Sequence, residues 1–221
     1  MTARVQFHFD FGSPNTYYCH KVIPEIEART GVKFEYFPIL LGGIFKSTNN
    51  KSPMEQFAGV KNKNEYQVLE TERFKKKHEI KEFKMNPNFP VNTLYIMRGA
   101  IHAQKHGFGK EYIDRLYSCM WEQGLKMDDP QVIHKALSDC GLPADEIIAG
   151  AADPEIKQQL IDNTNQSVER GTFGSPTFYV EDEIFFGKDK LEDVEAEILT
   201  VNQASWSSLV IRIVTRTINS I

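Results

Sequence analysis

Ser13 is followed by proline where alternating apolar residues give way to helical spacing, in Phe9-Asp10-Phe11-Gly12-Ser13-Pro14-Asn15-Thr16. A hydroxyl at the start of a helix lies among unpaired backbone N–H groups and at the positive end of the helix dipole. It can cap the helix, or it can help to hold an anion there. Other reactive side chains are scattered. Cys19, Cys119 and Cys140 are odd in number and widely spaced, with no C-x-x-C pair, so they form neither a disulfide framework nor a recognisable zinc site. His102 and His106 stand four apart on an expected helix, but the residues between them lack the glutamate of H-E-x-x-H and no third ligand is evident. No metal is therefore expected. Gly-rich phosphate loops and G-x-S-x-G elbows are absent.

The 221 residues are 41% hydrophobic and 25% charged, enough apolar side chain for a full soluble core. A net charge of -4 gives nucleic acid no general electrostatic support, and Lys75-Lys76-Lys77 reads as a solvated helix face. No apolar run is long enough for a membrane span, and no signal-peptide pattern opens the chain. Cysteine usage points to a reducing compartment, and the expected location is the cytoplasm.

Three blocks of elements must position Ser13. At the start, Val5, Phe7, Phe9 and Phe11 alternate with Gln6, His8 and Asp10, which predicts a strand. A helix follows, with Tyr18, Val22 and Ile26 as its stripe, a break or kink expected at Pro24 and a stop at Gly31. Residues 32–39 form the next strand, and a unit of this size favours parallel pairing. The middle, 54–170, reads as helical, with helices over 64–77, 91–105, 110–123, 130–141, 143–149 and 154–170. The end returns to strands, with 177–180 and 184–186 flanking a hairpin turn at Glu181-Asp182-Glu183. A last helix follows, for which Asp189 and Glu192 have capping-box spacing. The segment 202–221 fits none of this. It reads as an added strand, a partner contact or a non-native extension.

The order β-α-β, helical block, β-β-α is the thioredoxin-like arrangement. The chain resembles the 2-hydroxychromene-2-carboxylate isomerase family, relatives of kappa-class glutathione transferases and DsbA-type oxidoreductases. Three segments carry the resemblance: Phe9-Asp10-Phe11-Gly12-Ser13-Pro14; the stretch from Pro38-Ile39-Leu40-Leu41-Gly42-Gly43 to Asn49-Asn50-Lys51; and Phe173-Gly174-Ser175-Pro176-Thr177 with Phe186-Gly187-Lys188-Asp189. The fold it implies is an α/β thioredoxin-like fold with a large all-helical insertion. Its two halves would be 1–45 and 171–200, the insertion 46–170, with 201–221 as a tail. The resemblance also implies glutathione as cofactor. Ser13 would contact its sulfur and Asn50 the tripeptide. Ser175 would pair with its cysteinyl part, before a cis-proline at Pro176. Phe186 and Gly187 would belong to the glutathione site, and Lys188 and Asp189 would lie near the γ-glutamyl end, although Lys188 stands where the kappa-type pattern has serine. Lys46 and Asn86 fall near substrate-contacting positions, and Phe45, Phe89 and Trp121 would either line the substrate space or belong to the core. Family members of this kind are often homodimers.

The implied chemistry follows from what is missing. A dithiol oxidoreductase of this architecture would carry cysteines at the positions of Ser13 and Thr16, so no thiol–disulfide cycle runs here and the thiol must come from glutathione. Lowering a thiol pKa from about 8.5 by about two units takes roughly 2.7 kcal/mol. A hydrogen bond to the thiolate supplies about 1.5–3 kcal/mol and the helix terminus about 0.3–1. The expected activity is cis–trans isomerisation of 2-hydroxychromene-2-carboxylate or a related unsaturated aromatic 2-oxo acid: thiolate addition, bond rotation, then elimination. Alternatives are a kappa-like transferase releasing a conjugate, and a non-catalytic glutathione-binding protein.

Overall fold

The computed structural model describes the backbone of residues 2–218 and side chains as far as residue 204. Strand β1 (Val5–Phe9) leads into helix α1 (Pro14–Thr30), and β2 (Phe34–Pro38) returns parallel to β1. Helices α2 (Leu41–Thr48), α3 (Pro53–Gln56), α4 (Lys63–Lys77), α5 (Leu94–Lys105), α6 (Gly109–Trp121), α7 (Pro130–Asp139), α8 (Ala144–Ala152) and α9 (Pro154–Glu169) follow. The hairpin β3 (Thr177–Val180) and β4 (Glu183–Phe186), a 3-10 turn at Lys188–Lys190 and helix α10 (Leu191–Ile218) complete the order. Among the described residues the strands form one sheet, β2-β1-β3-β4, with β3 antiparallel to both β1 and β4. This is the thioredoxin-like sheet with a helical block between its halves.

Three local expectations change in three dimensions. Helix α1 runs unbroken through Pro24. Proline removes one hydrogen bond, but Pro24 is exposed, while Val22, Ile23 and Ile26 are buried and hold the helix to the core. Asp189 and Glu192 do not form the expected box. Asp189 pairs with Lys188, and Glu192 with Lys77 of α4. The stretch from 202 to 218 continues α10 as helix rather than adding a strand, and residues 219–221 lie outside the described residues.

Strand β1 is buried on both faces. Its apolar face stacks Phe7 on Phe178 and Phe9, with Tyr36 edge-on to Phe7 and Phe9. Its polar face is roofed as well, so each polar side chain needs a partner. Gln6 receives a hydrogen bond from Arg170, at the end of α9, and His8 Nδ1 is 2.8 Å from Ser167 Oγ. The His8 ring also packs on Phe37 and Tyr179.

Burial, with the Arg170 charge second, pushes the His8 pKa down to about 3. The unfolded chain therefore binds a proton at His8 from about pH 6.5 down, while the folded chain stays neutral until near pH 3. Stability is lost as pH falls through that window, by about 3 kcal/mol at pH 4.5 from this residue alone. Urea melts between pH 7 and 4.5 should show a smaller acid loss in His8→Phe than in the parent chain. Parallel losses would exclude His8 as the cause.

Candidate functional site

The Ser13 turn is built by backbone bonds before any side chain acts. Ser13 N–H donates to the Asp10 carbonyl at 3.1 Å, and the Ser13 carbonyl accepts from Thr16 and Tyr17 N–H. Ser13 occupies the N-cap position with extended backbone, yet its side chain makes no capping bond. The hydroxyl instead crosses to the last third of the chain and donates to the Ser175 carbonyl at 3.1 Å. The Thr16 hydroxyl lies 2.8 Å from the Asp10 carbonyl and 2.6 Å from that of Ser13. The Ser13 hydroxyl thus reaches out of its own turn to a loop from the last third of the chain.

The loop that receives Ser13 gathers most of the expected site. Its Ser175–Pro176 peptide bond is cis. Asn50, just past α2, donates its side-chain amide to the Phe173 carbonyl at 2.8 Å. Gly187 N–H donates to the Pro176 carbonyl at 3.0 Å, which holds the start of the Phe186–Asp189 segment against the same loop. Ser175 anchors the loop to the sheet by donating its own hydroxyl to the His8 carbonyl at 3.0 Å. Phe173 and Phe186 pack ring to ring at 4.4 Å, each 43% exposed, as an aromatic rim. A Cβ at Gly174 would sit 2.7 Å from the Phe186 ring, so any larger residue there would push the rim aside.

Lys188 points inward. Its ammonium lies 4.7 Å from the centre of the Phe74 ring of α4 and pairs with Asp189, whose own side chain is 69% exposed. Lys188 thus braces the turn, while Asp189 faces solvent. Lys46 is exposed on α2. Asn86 departs from the expected substrate contact. It is buried, and its amide donates to the Met120 and Leu125 carbonyls, both at 2.9 Å. Its oxygen accepts from the Asn88 backbone and side chain, so its hydrogen-bonding capacity is used within the protein. Trp121 is core, donating from its indole to the Phe11 carbonyl at 2.8 Å, whereas Phe45 and Phe89 are half-buried.

The node that sequence reasoning missed is Asp10. Its carboxylate accepts from Gly12 N–H at 2.8 Å, the Thr93 hydroxyl at 2.7 Å and Leu41 N–H at 2.7 Å. It therefore ties the Ser13 turn to the start of α2 and to the residue preceding α5. Burial pushes its pKa up, against the pull of those three donors. Its place three residues before Ser13 carried a weak signal, as the one acid among the polar positions of the first strand's alternation.

A cavity of about 700 Å³ opens between α1 and α6, lined by Tyr17, His20, Lys21, Asp114 and Glu122 among others, but Ser13 and its loop partners do not line it. Its charged walls are largely paired, His20 with Asp114 and Lys21 with Glu122. The candidate site is the Ser13 turn, where hydroxyl, amide and carboxylate groups come together.

A DSBA-like thioredoxin domain model matches residues 4–199. The chain belongs to the DSBA-like thioredoxin family. Within that family it is similar to 2-hydroxychromene-2-carboxylate isomerase of Sphingobium xenophagum, at 27% identity over 199 residues, covering 90% of this chain and all of that one. It is also similar to human glutathione S-transferase kappa 1, at 23% identity over 207 residues, covering 85% and 87% of the two chains. A solved 2-hydroxychromene-2-carboxylate isomerase shares the fold with a TM-score of 0.78 at 19% identity, covering 92% of this chain and 98% of that one. The turn that opens α1 carries Ser13 and Thr16 and no cysteine. Among its described residues no helix is long and apolar enough to cross a membrane.

Proposed function

We propose that this DSBA-like chain is a glutathione-dependent cis–trans isomerase of 2-hydroxychromene-2-carboxylate or a related unsaturated aromatic 2-oxo acid. One observation carries the reading: the Ser13 hydroxyl, at a helix N-terminus with no cysteine beside it, is turned toward the cis-proline loop rather than spent on its own helix. The donor set fits glutathione. Ser13 offers a hydroxyl to a thiolate, exposed Asp189 a carboxylate to an ammonium, and the Phe173–Pro176 loop a backbone edge braced by Asn50 and Gly187. Bound glutathione would supply the thiolate that adds reversibly to the substrate alkene. Ser13 stabilises that negative charge through its hydroxyl, and the first turn of α1 adds its dipole. Exposed Lys46 offers a cation to a substrate carboxylate, and the Phe173–Phe186 rim offers an apolar surface to an aromatic ring. The helical block 46–170 roofs the thioredoxin-like halves in this reading, and the free cysteines suit a reducing cytoplasm.

Chromatography and mass spectrometry of the substrate, with and without catalytic glutathione, test the proposal. The expected result is interconversion of geometric isomers at unchanged mass, dependent on glutathione that is not consumed. A product heavier by one glutathione would make the chain a transferase, as the kappa relatives' name would have it. Glutathione binding without turnover would make it a binding protein.

A further inference from the structure

The His102–His106 pair, left without a third ligand in the sequence, gains one from α8. A nitrogen of each ring and a carboxylate oxygen of Glu146 lie within 4.8 Å of one another. The two histidines sit one helical turn apart on α5, with rings stacked at 4.0 Å between centres. His106 Nδ1 is 2.8 Å from the His102 carbonyl. Donating its N–H there leaves Nε2 with the free lone pair. His102 is held differently. Its Nδ1 edge is pressed against Gly150 of α8, where a Cβ would sit 2.0 Å away, and its Nε2 is 3.4 Å from Glu146 Oε1. Only glycine at 150 lets α8 approach closely enough to fix that ring. The trio is thus one buried, immobilised imidazole flanked by two exposed arms, His106 and Glu146, free to close on it.

We propose that His102, His106 and Glu146 form a binding site for a borderline divalent transition ion of the zinc class, clipping the end of α5 to the first turn of α8. Two neutral imidazoles and a carboxylate are a known tetrahedral donor set with one position open to water. Such a set holds its atoms about 2.0–2.2 Å from the ion. The His106 ring would turn out of its stack on His102 so that its donor nitrogen and the Glu146 carboxylate both face the His102 lone pair. His102 lies nine residues beyond Thr93, the partner of Asp10, or about 13 Å along the helix axis. The ion would tie the helical block together at a distance from Ser13, and it takes no part in the glutathione reading.

Calorimetric titration of the full chain with Zn²⁺ alone, together with Co²⁺ absorption spectra, tests the site. One saturable equivalent is expected, with the visible absorption of tetrahedral Co²⁺ and a rise in melting temperature with Zn²⁺ concentration. His106→Ala and Glu146→Gln alter exposed side chains, so both should fold, and each should weaken Zn²⁺ binding at least tenfold. Cys140→Ser, which removes the half-buried thiol, should bind like the parent chain. Absence of saturable binding in the parent would overturn the proposal. So would undiminished binding in both His106→Ala and Glu146→Gln, or loss of binding in Cys140→Ser.

Discussion

Ser13→Ala is expected to cut isomerase turnover about tenfold and to raise the pKa of bound glutathione's thiol by about one unit. The tertiary structure lowers the figure that helix-terminus arithmetic alone would give. A hydrogen bond to a charged acceptor contributes about 1.5–3 kcal/mol, but the Ser13 hydroxyl already donates to the Ser175 carbonyl. Turning it to a thiolate gives up a neutral bond of about 0.5–1.5 kcal/mol, leaving a net 1–2 kcal/mol, or about one pKa unit. The same difference in the barrier is about tenfold in rate. Ultraviolet absorbance of the thiolate, titrated against pH in the glutathione complex, reads the first effect, and steady-state kinetics reads the second. Ser13→Thr, which keeps the hydroxyl, should retain most of the pKa depression. If Ser13→Ala matches the parent in both thiol pKa and rate, the hydroxyl is no more than a loop tether and the mechanism fails.

The largest expected loss of stability comes from Asp10→Ala, about 3–5 kcal/mol. That change strands the N–H groups of Gly12 and Leu41 and the Thr93 hydroxyl, and each buried polar group without a partner costs about 1–3 kcal/mol. It also unpins three segments that meet behind the turn, so glutathione affinity should fall with stability. Asp10→Asn keeps one acceptor oxygen but aims an amide N–H at a donor, and should lie between the two. The pH dependence has the opposite sign to that of His8. Burial holds the Asp10 pKa above its unfolded value, so the folded chain retains a proton that the unfolded chain releases. This group's contribution to stability therefore falls as pH rises from the unfolded carboxyl value through the folded one. Urea melts of the parent, Asp10→Asn and Asp10→Ala over acid pH separate the two residues. An Asp10→Ala loss below 1 kcal/mol would show that the three donors find other partners.

Much of the fold was legible because it is written locally. Alternation from Val5 to Phe11, the 3.6-residue stripes of the helical block and the hairpin at Glu181 are properties of neighbouring residues, and they appear close to where the pattern places them. The expected site residues also include a real cluster, since Ser13, Asn50, Ser175, Pro176 and Gly187 meet on one loop. Asn86 was not legible, because a buried amide that braces two carbonyls has the same sequence signature as one that faces a ligand. Pro24 misled for a related reason, since what a proline does to a helix depends on which face it occupies and what the opposite face is packed against.

The order of elements, the absence of cysteine at Ser13 and Thr16, and the family these imply are all written along the chain. Which polar groups find one another is settled by packing. Ser13 meets Ser175 across 162 positions, and Asp10 meets Thr93 across 83. Glu146 comes to His102 from another helix, 44 positions away. Periodicity follows from the geometry of a single helix or strand, whereas a hydrogen-bond partner is set by which elements the core brings together, and no local pattern encodes that.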